Sequence, residues 1–206
     1  MGVPDLQPGV RVVVPYVGEV HPDTLAGVDG WPGGVSYHDV SGSDTAYAEL
    51  LRELWREQEG FCIVEGDVVP LPWTLAEFAV CPEPYCAAPY ALEAFVGVAL
   101  GCTRFSSLFL RCYPDAAEIA ARIPSPFGEP GHWRQLDVWL QGAVLRDEYG
   151  WQPHAHAEVM HRNPARELSP AAQGLPVRTR VEGRMYLEPG TVDRIAADLA
   201  GSASER

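Results

Sequence analysis

Phe61-Cys62-Ile63-Val64-Glu65-Gly66-Asp67 is a short apolar run that stops on two carboxylates separated by a glycine. A run without polar alternation suits a strand covered on both faces, as in a parallel sheet. Immediately upstream, Tyr47, Leu50, Leu51, Leu54 and Trp55 recur at helical spacing, which predicts a helix capped by Ser43 or Asp44 and stopped by Gly60. Before that helix, residues 35–40 read as a strand carrying Asp39 near its end. The β-branched run 10–15, closed by Pro15, Tyr16 and Gly18, reads as the first strand. Strand, helix, strand is the grammar of an α/β fold: a mostly parallel, Rossmann-like sheet flanked by helices. Ligands of such sheets bind beyond the carboxyl ends of the strands, so three strand ends face one crevice.

Further along, the pattern predicts a short helix over 73–80, a strand over 94–100 and helical pieces over 106–112 and 115–123 around Pro114. A longer helix is expected over 132–146, with Trp133, Leu136, Leu140 and Val144 on one stripe. We divide the chain into a main domain, residues 1–168, and a tail, residues 169–206. Proline, glycine and charge leave the tail loosely docked or disordered, apart from a helix over 192–199.

Composition narrows the function. The 206 residues suffice for one well-filled core, and the net charge of -13 argues against nucleic acid or an anionic membrane surface as partner. All 15 basic residues are arginine, which removes lysine-based chemistry, including the phosphate-binding lysine of a P-loop. No apolar stretch reaches the length of a membrane span, no export signal is evident, and five cysteines are an odd number. These features fit reduced thiols in the cytoplasm, or in a host's cytoplasm for a phage-encoded protein. Cys81 and Cys86 lack a second matching cysteine pair and read as structural thiols.

Three groups of residues have the chemistry of a site. Glu65 and Asp67 point the same way in an extended loop and together suit a divalent cation. His154 and His156, with His161 close behind, present imidazoles on one side of an extended segment and would complete that site. Asp137 falls on the apolar stripe of its helix, where a carboxylate is either a general base facing the crevice or the partner of a buried arginine such as Arg104. His21, His38 and His132 read as surface residues.

The segments VVVPYVGEVHPDTL, HDVSGSDTAYAELLRELW, FCIVEGDVVP, GCTRFS, HWRQLD and PHAH, within residues 11–162, resemble small glycosyltransferases of the A-type fold, including bacteriophage and actinobacterial members. The resemblance implies that Glu65-Gly66-Asp67 is a D-x-D-like motif binding Mn²⁺ or Mg²⁺, with Glu in place of the first Asp. That cation would hold the diphosphate of a nucleoside diphosphate sugar, a UDP-sugar being favoured. It further implies that Pro15, Tyr16, Val17, Asp39 and Val40 cradle base and ribose, that His154 or His156 is the third metal ligand, and that the acid of HWRQLD, Asp137, is the catalytic base. The acceptor would be a protein or glycan hydroxyl. Other readings remain: a metal hydrolase built on His154, His156 and Asp67, or a noncatalytic module holding an ion. A nucleotidyltransferase shares the opening topology but needs a basic glycine-rich loop where this chain has Tyr16-Val17-Gly18-Glu19.

Overall fold

A computed structural model describes residues 10–91, 96–162, 188 and 190–204. Its centre is a six-stranded sheet in the order β2-β1-β3-β8-β5-β9. The members are β1 (Arg11–Tyr16), β2 (Val35–Asp39), β3 (Phe61–Val64), β5 (Tyr85–Ala87), β8 (Cys102–Phe105) and β9 (His154–Ala155). Both neighbours of β1, and β9 beside β5, are parallel, whereas β8 runs antiparallel to β3 and β5. Five of the six strands therefore point one way, giving the mixed α/β class with a mostly parallel sheet.

Alternation along the strands divides the interior in two. Val13, Phe61, Ile63 and Phe105 face one cluster with helices α2 (Ala46–Glu57), α4 (Ser107–Cys112) and α5 (Ala116–Arg122). Val12, Val14, Cys62, Val64 and Cys102 face the other, with α1 (Pro22–Val28) and α3 (Thr74–Val80). This two-sided burial is why β3 is apolar without interruption. Trp55 is 1% exposed, meets Phe61 and Phe105 edge-on with centroids 5.9 and 4.7 Å away, and donates its indole N–H to the Tyr113 carbonyl at 2.9 Å.

Several expectations need correction. Neither Ser43 nor Asp44 caps α2: Thr45 occupies that place without a side-chain bond to a helix amide, and Gln58, at a φ of 55°, ends the helix before Gly60. The Gly60 amide instead donates to Ser107 Oγ at 2.8 Å. The strand expected over 94–100 is only β7 (Val96–Gly97), paired with β6 (Tyr90–Ala91), while residues 94 and 95 lie outside the described residues. The strand of the main sheet is β8. The long helix is α6 (Trp133–Asp137) running into a π-helix, Val138–Glu148. Leu136, Leu140 and Val144 are buried as expected, but Trp133 is 51% exposed. The tail boundary at 168/169 lies outside the described residues. Beyond it, α7 (Thr191–Ser204) packs Val192, Ile195, Ala196 and Leu199 onto the α2 side of the core. Among the described residues, no helix is long and apolar enough to cross a membrane.

Truncating Trp55 to alanine removes its ring contacts and leaves the Tyr113 carbonyl without that donor. The substitution should destabilise the fold by about 3–5 kcal/mol in urea titration, and a loss below 1 kcal/mol would show that the ring is not a keystone of this cluster.

Candidate functional site

The loop after β3 is held by backbone hydrogen bonds from four other segments. The Glu65 amide donates to the Gly101 carbonyl (2.9 Å) and the Gly66 amide to that of Pro15 (2.9 Å). In return, the His21 amide donates to the Gly66 carbonyl (2.7 Å) and the Arg162 amide to the Asp67 carbonyl (2.7 Å). A side chain at position 66 would put its Cβ 2.7 Å from Tyr16 Cβ, so glycine is what allows β1 and this loop to approach so closely. The loop closes with the Val68 amide on the Glu65 carbonyl and enters β4 (Val68–Val69), which pairs antiparallel with β10 (Met160–His161).

Glu65 Oε1 accepts from the Tyr47 hydroxyl at 3.0 Å, and His161 Nε2 lies 3.0 Å from Asp67 Oδ2. The two carboxylates are consequently driven apart in acidity. Burial first, then the charge of Asp67, pushes Glu65 up to about 7 despite the Tyr47 hydrogen bond. At Asp67 burial acts upward too, but the hydrogen bond and charge of His161 outweigh it and hold the group below its ordinary value. The Tyr47 hydroxyl is raised well above the usual phenol range by burial and by Glu65.

Tyr47, Glu65 and Asp67 open onto a cavity of about 550 Å³. Of the residues expected at strand ends, Pro15, Tyr16, Val17 and Val40 line it with Glu65 and Asp67. Asp39 does not: it is exposed, and its Oδ1 accepts the Ser41 amide at 2.9 Å, turning the chain toward the cavity wall. Trp133 lines the cavity rather than the core stripe, with the Arg134 guanidinium 5.2 Å from its ring. Sequence reasoning also missed Tyr47, which looks like any core residue of α2 until its hydroxyl is seen on Glu65. Glu19, Asp44, Glu65 and Asp67 give the described lining four carboxylates and no arginine.

His154 and His156 are not brought to this site. Parallel pairing of β9 with β5 sets His154 opposite Cys86, and β9 stands three strand spacings, about 14 Å, from β3. Both imidazoles join Cys81 and Cys86 in a separate cluster. The histidine at Asp67 is His161, because five residues beyond His156 bring the chain onto β4. A hydrolase triad of His154, His156 and Asp67 is therefore not assembled.

Asp137 ends α6, and its Oδ1 accepts the Val138 amide at 2.8 Å. Its charge is felt at Tyr47 and Glu65. Arg104 is not its partner: it donates to the Cys81 and Glu83 carbonyls at 3.2 and 2.8 Å. Asp137 has no ion pair among the described residues, and burial raises its carboxyl to about 6. Asp137 is not among the described residues that line the cavity, and its link to them is the effect of its charge on Tyr47 and Glu65.

No protein-family model matches the chain, and no curated protein does. Among solved structures, the crystal structure of a glycosyltransferase involved in the glycosylation of the major capsid of PBCV-1 is similar over 73% of this chain and 93% of that one, at 11% identity and a TM-score of 0.43.

Because the folded state binds the Asp137 proton more tightly than the unfolded chain, stability falls as pH rises from the ordinary carboxylate value through about 6. Asp137→Asn removes that cost while keeping an acceptor for the Val138 amide. The variant should gain on the order of 1–3 kcal/mol at pH 7.5 and none at pH 3.5, measured by denaturation at both values. A loss at pH 7.5 would mean that the ionised carboxylate is instead stabilised by a partner.

Proposed function

We propose that this chain is a cation-dependent glycosyltransferase that takes a nucleoside diphosphate sugar, a UDP-sugar being favoured, and passes its sugar to a hydroxyl of a protein or glycan. The observation behind this reading is the Glu65-Gly66-Asp67 loop, fixed at the carboxyl end of β3 and facing the cavity. A wall of carboxylates repels a diphosphate unless a cation stands between them. Asp67 and His161 suit Mn²⁺ or Mg²⁺: the carboxylate is a hard oxygen donor, and the 3.0 Å between His161 Nε2 and Asp67 Oδ2 equals the edge of an octahedron with bonds of about 2.1 Å. Glu65 offers a further oxygen from the same loop.

When bound, a divalent cation at these residues would offset the negative charge that develops on the departing diphosphate. The chain's own residues do the rest. Tyr16 and Trp133 offer aromatic faces, and Pro15, Val17 and Val40 the walls, for base and ribose. Tyr47 fixes one oxygen of Glu65 so that the carboxylate does not rotate away from the loop. In an inverting reaction, Asp137 accepts the proton of the acceptor hydroxyl as that oxygen attacks the anomeric carbon. A carboxyl near 6 remains ionised at neutral pH while being more basic than an exposed one. Free thiols throughout fit a reducing cytoplasm.

The deciding assay measures nucleoside diphosphate released from a panel of sugar nucleotides, with and without Mn²⁺. Release that requires both the cation and one nucleotide sugar supports the reading, and release unaffected by chelation overturns the cation's role. In thermal denaturation, UDP should raise the melting temperature of the wild type only with Mn²⁺ or Mg²⁺ present, since a ligand stabilises the state that binds it. Asp67→Ala should remain folded and lose that shift. Asp137→Asn should reduce transfer by roughly a hundredfold or more with sugar-nucleotide affinity little changed, and near-normal transfer would remove Asp137 from catalysis.

A further inference from the structure

The second cluster lies at the far edge of the sheet. Cys81 ends α3, Cys86 lies in β5, and His154 and His156 come from β9 and the residue after it. One ligand atom from each falls within 4.8 Å of all the others, and Cys81 Sγ lies 3.3 Å from His154 Nδ1. A tetrahedral zinc with bonds of about 2.3 Å to sulfur and about 2.05 Å to nitrogen has ligand-to-ligand edges of about 3.3–3.8 Å, so the four atoms need only close slightly around an ion.

Two further features belong to a metal site rather than to a packed corner of the core. His156 Nδ1 is engaged by the Glu77 carboxylate at 3.3 Å, while its Nε2 is buried without a hydrogen-bond partner. An imidazole oriented by a carboxylate on one nitrogen, with the other left free in the interior, is the arrangement of a zinc-ligating histidine. Arg104 is buried beside the same sulfurs, with Nη1 3.8 Å from Cys86 Sγ, and it has no carboxylate partner among the described residues. A zinc-bound thiolate at Cys86 would accept a hydrogen bond from that guanidinium, in a site whose two thiolates and one Zn²⁺ carry no net charge.

We propose that Cys81, Cys86, His154 and His156 bind one structural zinc ion, distinct from the cation of the Glu65 and Asp67 loop. Thiolate and imidazole donors select zinc over Mn²⁺ and Mg²⁺, and a full set of four protein ligands marks a structural site. His154 is exposed and gives the ion a way in from solvent. The ion fastens the two-residue edge strand β9 to the end of α3. His161, five residues beyond His156, is thereby held where it meets Asp67.

The test is metal analysis of the full chain, purified without chelator. One zinc per chain is expected, and replacement by Co²⁺ should give sulfur-to-cobalt charge transfer with the intense visible bands of a tetrahedral site. Cys86→Ser and His154→Ala should lose the metal. The latter changes an exposed side chain and stays folded, so it answers if the former does not fold. Glu77→Ala should weaken zinc affinity by roughly 10–100-fold. Asp67→Ala should keep the zinc, which separates this site from the proposed catalytic one. Wild-type protein that carries no zinc and takes up none when zinc is added, cobalt bound without charge transfer from sulfur, or a Cys81–Cys86 disulfide seen by mass would each overturn the proposal.

Discussion

Gly66 is the point on which the site depends. Its amide donates to β1 and its carbonyl accepts from the residue before α1, so one residue ties two strand ends and a helix start together. The contact is possible because nothing projects from Gly66 toward Tyr16. Glu65 and Asp67 inherit their positions from it, one reaching Tyr47 on α2 and the other His161 on β10. Backbone held on several sides does not reorganise when a charged ligand arrives, which is the condition for an electrostatic site to act strongly.

That rigidity comes with an electrostatic cost. Glu65 and Asp67 repel each other, Glu19 and Asp44 add to the same wall, and Asp137 is felt from behind. The raised pKa values of Glu65 and Asp137 both arise mainly from burial. Such an arrangement is unfavourable for the folded chain by itself and becomes favourable with a positive charge in the cavity. Under the proposed function, stability and activity pull against each other here, as they commonly do at active sites.

The parallel half of the sheet was legible because β1 carries a β-branched run and β3 is wholly apolar, while α2 keeps its helical period for three turns and sets the short β2 before it. The placing of Glu65 and Asp67 at a strand end followed from that order alone. β8 was not legible: Cys102-Thr103-Arg104-Phe105 carries a buried arginine whose partners, the Cys81 and Glu83 carbonyls, are brought to it only by the fold. His154 and His156 stand side by side, as their spacing suggested, with ring centroids 4.9 Å apart, but away from Glu65 and Asp67. Which residues they meet is decided by the pairing of a two-residue strand, too short to leave a pattern in sequence. The same pairing raised the worth of Cys81 and Cys86, whose matching pair is two histidines rather than two cysteines.

The central claim is that Glu65 and Asp67, with His161, hold a divalent cation against a nucleotide diphosphate. The most direct measurement is a crystal structure of the chain with Mn²⁺ and UDP, using the anomalous signal of manganese. The account predicts a manganese peak bound by Asp67 and His161, with Glu65 in its coordination sphere and both phosphates of UDP on its far side. A nucleotide seated elsewhere, or one seated in this cavity with no manganese at Asp67, would contradict it.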